Sequence, residues 1–287
     1  MSASTIRSPA VAGMFYPRDR NQLGRMVDDL LGRVPPPRES ARLCALVSPH
    51  AGYVYSGAVA AHGFRLLAAG TSAPRVVVVI GPSHVEAFSF TSVFDGTAYR
   101  TPLGDVAVDI SAARAIADAH PSIRLSHHGH VQPHLARGEH GIEVQLPFLQ
   151  RALGECAIVP IVMGAQDHAS CVALGEAIAA ACDPGETLVI ASSDLSHFYP
   201  DREADRLDTV FCATLETLDA EALSAAVSRG ECEACGAGPV VASLLATEPS
   251  GERRCVVLAR AHSGDVSGDR SSVVGYASAA VFVEAAS

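Results

Sequence analysis

Apolar residues along this chain come in short unbroken blocks separated by polar, turn-forming stretches. The clearest block is 75–80, where Val76, Val77, Val78 and Val79 run into Ile80. A run of this length without alternation predicts a strand buried on both faces. Residues 43–47, 157–163, 187–191, 255–261 and 272–282 read as further strands. Helical patterning covers 18–31, 57–67, 110–119, 142–152 and 169–181, and 204–227 reads as two helices. Strands alternating with helices predict an α/β fold, a three-layer α/β/α arrangement with a mostly buried central sheet. Residues 92–108 place β-forming residues around turn signals at Asp95-Gly96 and Leu103-Gly104-Asp105. These predict hairpins, which make the sheet mixed. Arg33-Val34-Pro35-Pro36-Pro37-Arg38 reads as a stiff surface connection. The segment before it is too short for a core of its own, so 1–287 is expected to form a single domain.

Composition narrows the function. Hydrophobic residues are 48% and charged residues 18% of the 287, which argues against disorder. The formal net charge of −10 argues against a nucleic-acid surface. All 21 basic residues are Arg. Without Lys there is no Schiff base for PLP and no P-loop for ATP; NAD is not expected either. The longest apolar runs are too short to cross a bilayer, and the first five residues show no signal-peptide core. A cytoplasmic location, away from membranes, is the expectation. Eight Cys scattered through apolar segments then read as mostly reduced and buried.

Three histidines share one local context. His50 ends the strand-like Leu46-Val47-Ser48-Pro49-His50. His84 ends Val79-Ile80-Gly81-Pro82-Ser83-His84, and His197 follows Ile190 through Ser192-Ser193-Asp194-Leu195-Ser196. Ligands in open α/β sheets bind beyond the carboxyl ends of strands, so three such ends predict one shared site. Imidazole serves there as a metal ligand or a general base. Cys235, in Ala234-Cys235-Gly236-Ala237-Gly238-Pro239, reads as a tight turn opening a helix from about 240. A thiol so placed is expected to have a lowered pKa. Cys232 could instead join it in a redox or structural-zinc Cys-x-x-Cys, although no second pair stands at ribbon spacing. His127, His128, His130 and His134 read as a polar surface loop. Glu139-His140-Gly141-Ile142-Glu143 opens an apolar helix, and its acidic and imidazole groups are expected to reach the strand-end site.

At this point the sequence resembles the Memo-like family, also called AmmeMemoRadiSam system protein B. The resemblance rests on seven segments in order: Arg7 to Pro17; Pro49 to Gly57; Gly81-Pro82-Ser83-His84; Glu139 to Glu143 with Leu146-Pro147-Phe148; Ser192 to His197; Ala234-Cys235-Gly236; and Ser263 to Asp269. The family's fold is similar to class III non-haem iron dioxygenases of the extradiol type, which hold Fe(II) by two His and one Glu. The resemblance implies His50 and His84 as imidazole ligands and Cys235 at the position of the Glu. It implies His197 as acid–base catalyst, with Asp194 orienting it or its turn. Tyr53, Glu139 and His140 are the candidate pocket residues.

A thiolate in place of the carboxylate is softer and itself oxidisable. The resemblance therefore implies Fe(II) or Cu and redox, oxygen-handling chemistry more than catechol cleavage. The rival expectation is a non-enzymatic adaptor, since some relatives bind phosphopeptides. Its ligand would be a small molecule or a peptide. A functional link to a radical-SAM protein and an Ammecr-type protein is implied by the family alone.

Overall fold

The computed structural model describes residues 5–37, 41–68, 74–131 and 138–284. Residues 1–4 and His134 lie outside them. The chain begins with β1 (Ile6–Arg7), α1 (Arg20–Arg33), β2 (Arg42–Ser48), α2 (Tyr53–Leu67) and β3 (Val76–Pro82). Then come β4 (Thr91–Phe94), β5 (Ala98–Thr101), β6 (Gly104–Val108), α3 (Ile110–Asp118) and β7 (Ile123–Ser126). A 3₁₀ turn (Glu143–Gln145) leads into α4 (Leu146–Leu153), β8 (Ala157–Met163), α5 (His168–Ala181) and β9 (Thr187–Ser192). The remainder is β10 (His197–Tyr199), α6 (Asp201–Glu216), α7 (Ala220–Ser228), α8 (Ala237–Thr247), β11 (Arg253–His262), α9 (Gly264–Ser267) and β12 (Val273–Val283).

Among the described residues twelve strands form one mixed sheet, so the α/β expectation holds. Its centre is the parallel set β8-β3-β9-β2, and β12 joins β2 antiparallel with β11 outside it. Val77, Val78, Val79 and Ile80 are fully buried, as an apolar run between two helical layers requires. Helices α1, α2 and α4 pack together on one side. On the other, α3 meets α5, α5 meets α8, and α7 joins α8 to α6.

Two expectations need correction. Only the second turn signal makes a hairpin: β5 and β6 pair antiparallel, whereas Asp95-Gly96 links β4 to a strand it does not pair with. The predicted surface loop also fails at His130, which is 2% exposed. Its Nε2 meets the Ser92 carbonyl at 3.0 Å and its Nδ1 meets the Tyr99 hydroxyl. Burial pushes His130 down to about 3, so it is a neutral core residue. His127 and His128 are exposed, as expected of a loop.

The parallel order places the carboxyl ends of β3, β9 and β2 side by side. His50 and His84 follow β2 and β3 by two residues each, and the Ser193–Ser196 turn follows β9. The fold thus gathers the three segments at one crevice.

Candidate metal centre

His50 is held by β9 and by the turn after it. Its backbone N–H and that of Ala51 donate to Asp194 Oδ1 at 2.7 and 3.3 Å. Its Nδ1 lies 3.0 Å from Ser192 Oγ. That hydroxyl has one proton, and it goes to the Gly141 carbonyl at 2.5 Å. Ser192 therefore accepts from His50 Nδ1–H, as it accepts from Gln145 Nε2 at 2.7 Å. The tautomer follows: Nδ1 carries the proton and Nε2 keeps its lone pair. Burial, with His84 beside it, pushes His50 down to about 3, so the ring is neutral.

His84 is held by Glu139. The carboxylate accepts from His84 N at 2.6 Å and from His84 Nδ1 at 2.9 Å. It also accepts from the backbone N–H groups of His140 and Gly141, at 2.8 and 2.9 Å. Burial opposes charge on His84, but the bond to Glu139 and its charge prevail and raise the His84 pKa. Burial likewise opposes charge on Glu139, yet His84 holds it down to about 2. The carboxylate fixes Nδ1–H as donor and leaves His84 Nε2 free, with 26% of the side chain exposed.

Cys235 enters from the turn before α8. Its N–H donates to the Asp194 carbonyl at 3.3 Å, and its Sγ lies 3.2 Å from His50 Nε2. Gly236 lets this turn seat closely, because a Cβ there would collide with Ser192 O and Ser193. Gln166 clamps it from outside through Cys235 O and Gly238 N, at 2.9 and 2.8 Å. The expected lowering of the thiol pKa does not occur. Burial, with the Asp194 charge near it, pushes Cys235 up. The proton therefore stays on sulfur, within reach of the His50 Nε2 lone pair and of the Asp194 carbonyl at 3.6 Å.

His50, His84 and Cys235 offer ligand atoms that all lie within 4.8 Å of one another. Two imidazole nitrogens and a soft sulfur suit iron, copper or zinc. Each ring has its far nitrogen tied down, as metal-ligating imidazoles do. The residues present therefore fit an ion. A second group, His84, Glu139 and His140, is equally compact. Its carboxylate already accepts four hydrogen bonds, so it orients His84 better than it would coordinate.

The other predicted residues fall as follows. His140 stacks on His84 with ring centroids 4.7 Å apart and stands edge-on to His50 at 5.4 Å. Burial, with His50 adjacent, lowers it to about 4. His197 donates from Nδ1 to the Leu195 carbonyl at 2.7 Å, which leaves Nε2 free. Asp194 bonds the His50 and Ala51 backbone rather than the His197 ring. It is buried, and burial raises its pKa. Tyr53 is spent in the core: its hydroxyl donates to Val144 O at 2.6 Å and its ring packs on Tyr16 and Phe148. Glu143 points away from the imidazoles, contrary to expectation. It pairs with buried Arg7 and accepts from Tyr16 and from the N–H groups of Ala10 and Val11. Cys232 is buried outside the donor group. Sequence patterning assigns no role to Gln145 or Gln166, and Ser192 enters there only as the start of the turn to His197. Gln145 alone carried a signal, a polar residue inside an apolar helical run, which needs a buried partner.

Comparisons with known proteins agree with the sequence segments. A family model described as Memo-like protein matches residues 7–280. A MEMO1 family protein of Methanothermobacter thermautotrophicus is 37% identical over 280 residues, 95% of this chain and 99% of its own. That of Methanopyrus kandleri is 39% identical over 282 residues, covering 94% and 97%. A crystal structure of an uncharacterized Escherichia coli K12 protein superposes with a TM-score of 0.51 over 84% of this chain and all of its own. At 16% identity that likeness concerns the fold alone. With the family model and full-length relatives in agreement, the chain belongs to the Memo-like family.

Proposed function

We propose that this chain is a mononuclear, redox-active metal protein that holds iron or copper through His50 Nε2, His84 Nε2 and Cys235 Sγ. The observation that carries the reading is the convergence of three donor atoms within 4.8 Å, with both far nitrogens fixed by Ser192 and Glu139. A bound ion would supply Lewis-acid and one-electron chemistry. The protein's part is preparation. Ser192 and Gln145 set the His50 tautomer, and Glu139 sets that of His84. Cys235 would hold the ion as a thiolate, giving up its proton to offset the ion's charge. His140, neutral and stacked on His84, walls one side. His197 has Nε2 free to take a proton from a bound ligand or return it. An adaptor role makes no use of these tied tautomers, which favours the metal reading.

The test is anaerobic loading with iron or copper, followed by metal analysis and O₂ uptake on adding reductant. Wild type is expected to bind one ion per chain, and His84→Ala to lose it. His197→Ala should keep the ion and lose any turnover by about 10²–10⁴-fold, the usual share of an acid–base group. Metal loss from His197→Ala equal to that from His84→Ala makes His197 a ligand. A wild type that takes up no ion removes the reading.

A further inference from the structure

The parallel sheet brings a fourth strand end to the crevice, that of β8. Gln166 stands three residues past it, just ahead of Asp167, which caps α5 by accepting from Ser170 N at 3.0 Å. The Gln166 backbone is held there, its carbonyl accepting from the buried Cys171 thiol at 3.6 Å. The residue is exposed, yet both ends of its amide are taken: Nε2 donates to Cys235 O at 2.9 Å and Oε1 accepts from Gly238 N at 2.8 Å.

Both partners need an outside group. The N-cap of α8 is Gly236, which has no side chain, so the Gly238 N–H in the first turn must find its acceptor elsewhere. In a regular helix Cys235 O would pair with the N–H of residue 239, and that residue is Pro. A single group that accepts from one and donates to the other is an amide; a carboxylate lacks the donor and a guanidinium the acceptor. The fit is close, since a Cβ on Gly238 would lie 2.8 Å from Gln166 Cβ. On its other flank Cys235 is held by the turn after β9, through its own N–H to Asp194 O at 3.3 Å and Gly236 N to Ser193 Oγ at 2.9 Å. The peptide group after Cys235 is thus held at both ends, N–H by Ser193 and C=O by Gln166. With either bond lost, it would pivot about the other.

We infer that Gln166 is a positioning residue for the metal centre: it fixes the peptide group that carries Cys235 and so aims the sulfur where His50 and His84 converge. The inference rests on the metal reading above. Peptide groups are planar, so pinning the one before Cys235 and the one after it sets the direction of its Cα–Cβ bond. Only χ1 is then left to place Sγ, which lies 3.2 Å from His50 Nε2. Gln166 touches no donor atom of the group and acts through Cys235 alone. Its effect on affinity therefore exists only where residue 235 offers sulfur to the ion.

The test is a double-mutant cycle on the full chain, read as Zn(II) affinity by chelator competition. Gln166→Glu keeps an acceptor for Gly238 N and loses the donor to Cys235 O. It is expected to weaken zinc binding about tenfold, the usual cost of a group that orients a ligand. Gly238→Ala, which displaces the Gln166 side chain while suiting a helix, should do the same. In a Cys235→Ala background Gln166→Glu should change affinity by less than about twofold, because there is no sulfur left to aim. Metal-free Gln166→Glu should melt with wild type, since a carboxylate still caps α8, whereas Gln166→Ala should melt lower. Wild-type affinity in Gln166→Glu or Gly238→Ala overturns the inference and leaves the metal centre standing. An equal loss with and without Cys235 overturns it too, as the effect would not pass through the sulfur. So does a melting temperature as low in Gln166→Glu as in Gln166→Ala, which would make the Cys235 bond a support of the fold. Failure of wild type to bind zinc removes the metal reading, and this inference with it.

Discussion

Cys235 gives the candidate centre its one sulfur donor. Its thiol is pushed up by burial, although it stands one residue before the glycine that caps α8. Desolvation of a buried charge outweighs a partial helix dipole, whose effect is typically about 0.3–1 kcal/mol. The thiol is thus held protonated on its own, and on the proposed metal reading it would become a ligand when a cation takes its proton. Cys232, three residues earlier, is also pushed up by burial, to about 11, and is not a member of the donor group. Cys235→Ser is therefore expected to weaken metal binding by more than about 100-fold, beyond what loss of a ligand's hydrogen-bond partner costs. Cys232→Ser should change it by less than threefold or so. A chelator competition titration checks both, and equal losses would point to a two-cysteine site. Sequence marked Cys235 through its turn and its family segment. It could not mark Arg7 or His130 as buried, because Glu143 and Tyr99, which receive them, are brought there by the sheet and are distant in the chain.

Strands β2, β3, β8 and β9 were legible because burial on both faces leaves an unbroken apolar run. β1, β7 and β10 were not: each is two to four residues long and is defined by its partner's backbone. The 195–197 turn shows how such hidden pairing carries weight. Gly275 of β12 exchanges two backbone hydrogen bonds with this turn, and the buried Asp208 of α6 accepts from Ser196 N at 3.1 Å. A Cβ on Gly275 would fall within the Asp208 carboxylate. Gly275→Ala must therefore push α6 off the strand, at an expected cost of about 1–3 kcal/mol. Gly32, in the last turn of α1, has nothing near its would-be Cβ and no positive φ. Gly32→Ala should stabilise by about 0.5–1 kcal/mol. Urea denaturation of both variants tests the pair. The same sign for both would show that backbone freedom, not the Asp208 contact, governs Gly275.

The molecule as a whole concentrates buried imidazole. His50 and His130 are held near 3 and His140 near 4, all by burial first, against an ordinary value of about 6.5. In each case the folded pKa lies below the unfolded one. Each contribution to stability is complete above about 6.5 and is lost as pH falls toward the folded value. Between those limits the unfolded chain binds the proton and the fold does not, a slope of about 1.4 kcal/mol per pH unit for each fully buried group. His84 has the opposite sign. Glu139 raises its pKa, so its contribution is complete below about 6.5 and fades as pH rises through the raised value. Glu139 itself, held near 2, begins to cost stability only below about 4.5. The metal-free chain should therefore be most stable near neutrality and should lose stability steeply from pH 6.5 to 5.5. General electrostatics argue the other way. The chain carries −10 at pH 7, and protonation toward neutrality relieves self-repulsion. The two effects differ in sign over the same interval, so one measurement separates them. Urea midpoints of metal-free protein at pH 7.0, 6.5 and 5.5 should fall on the acid side, whereas a midpoint that rises or stays level there would show that relief of self-repulsion matches or outweighs the cost of keeping the three imidazoles neutral.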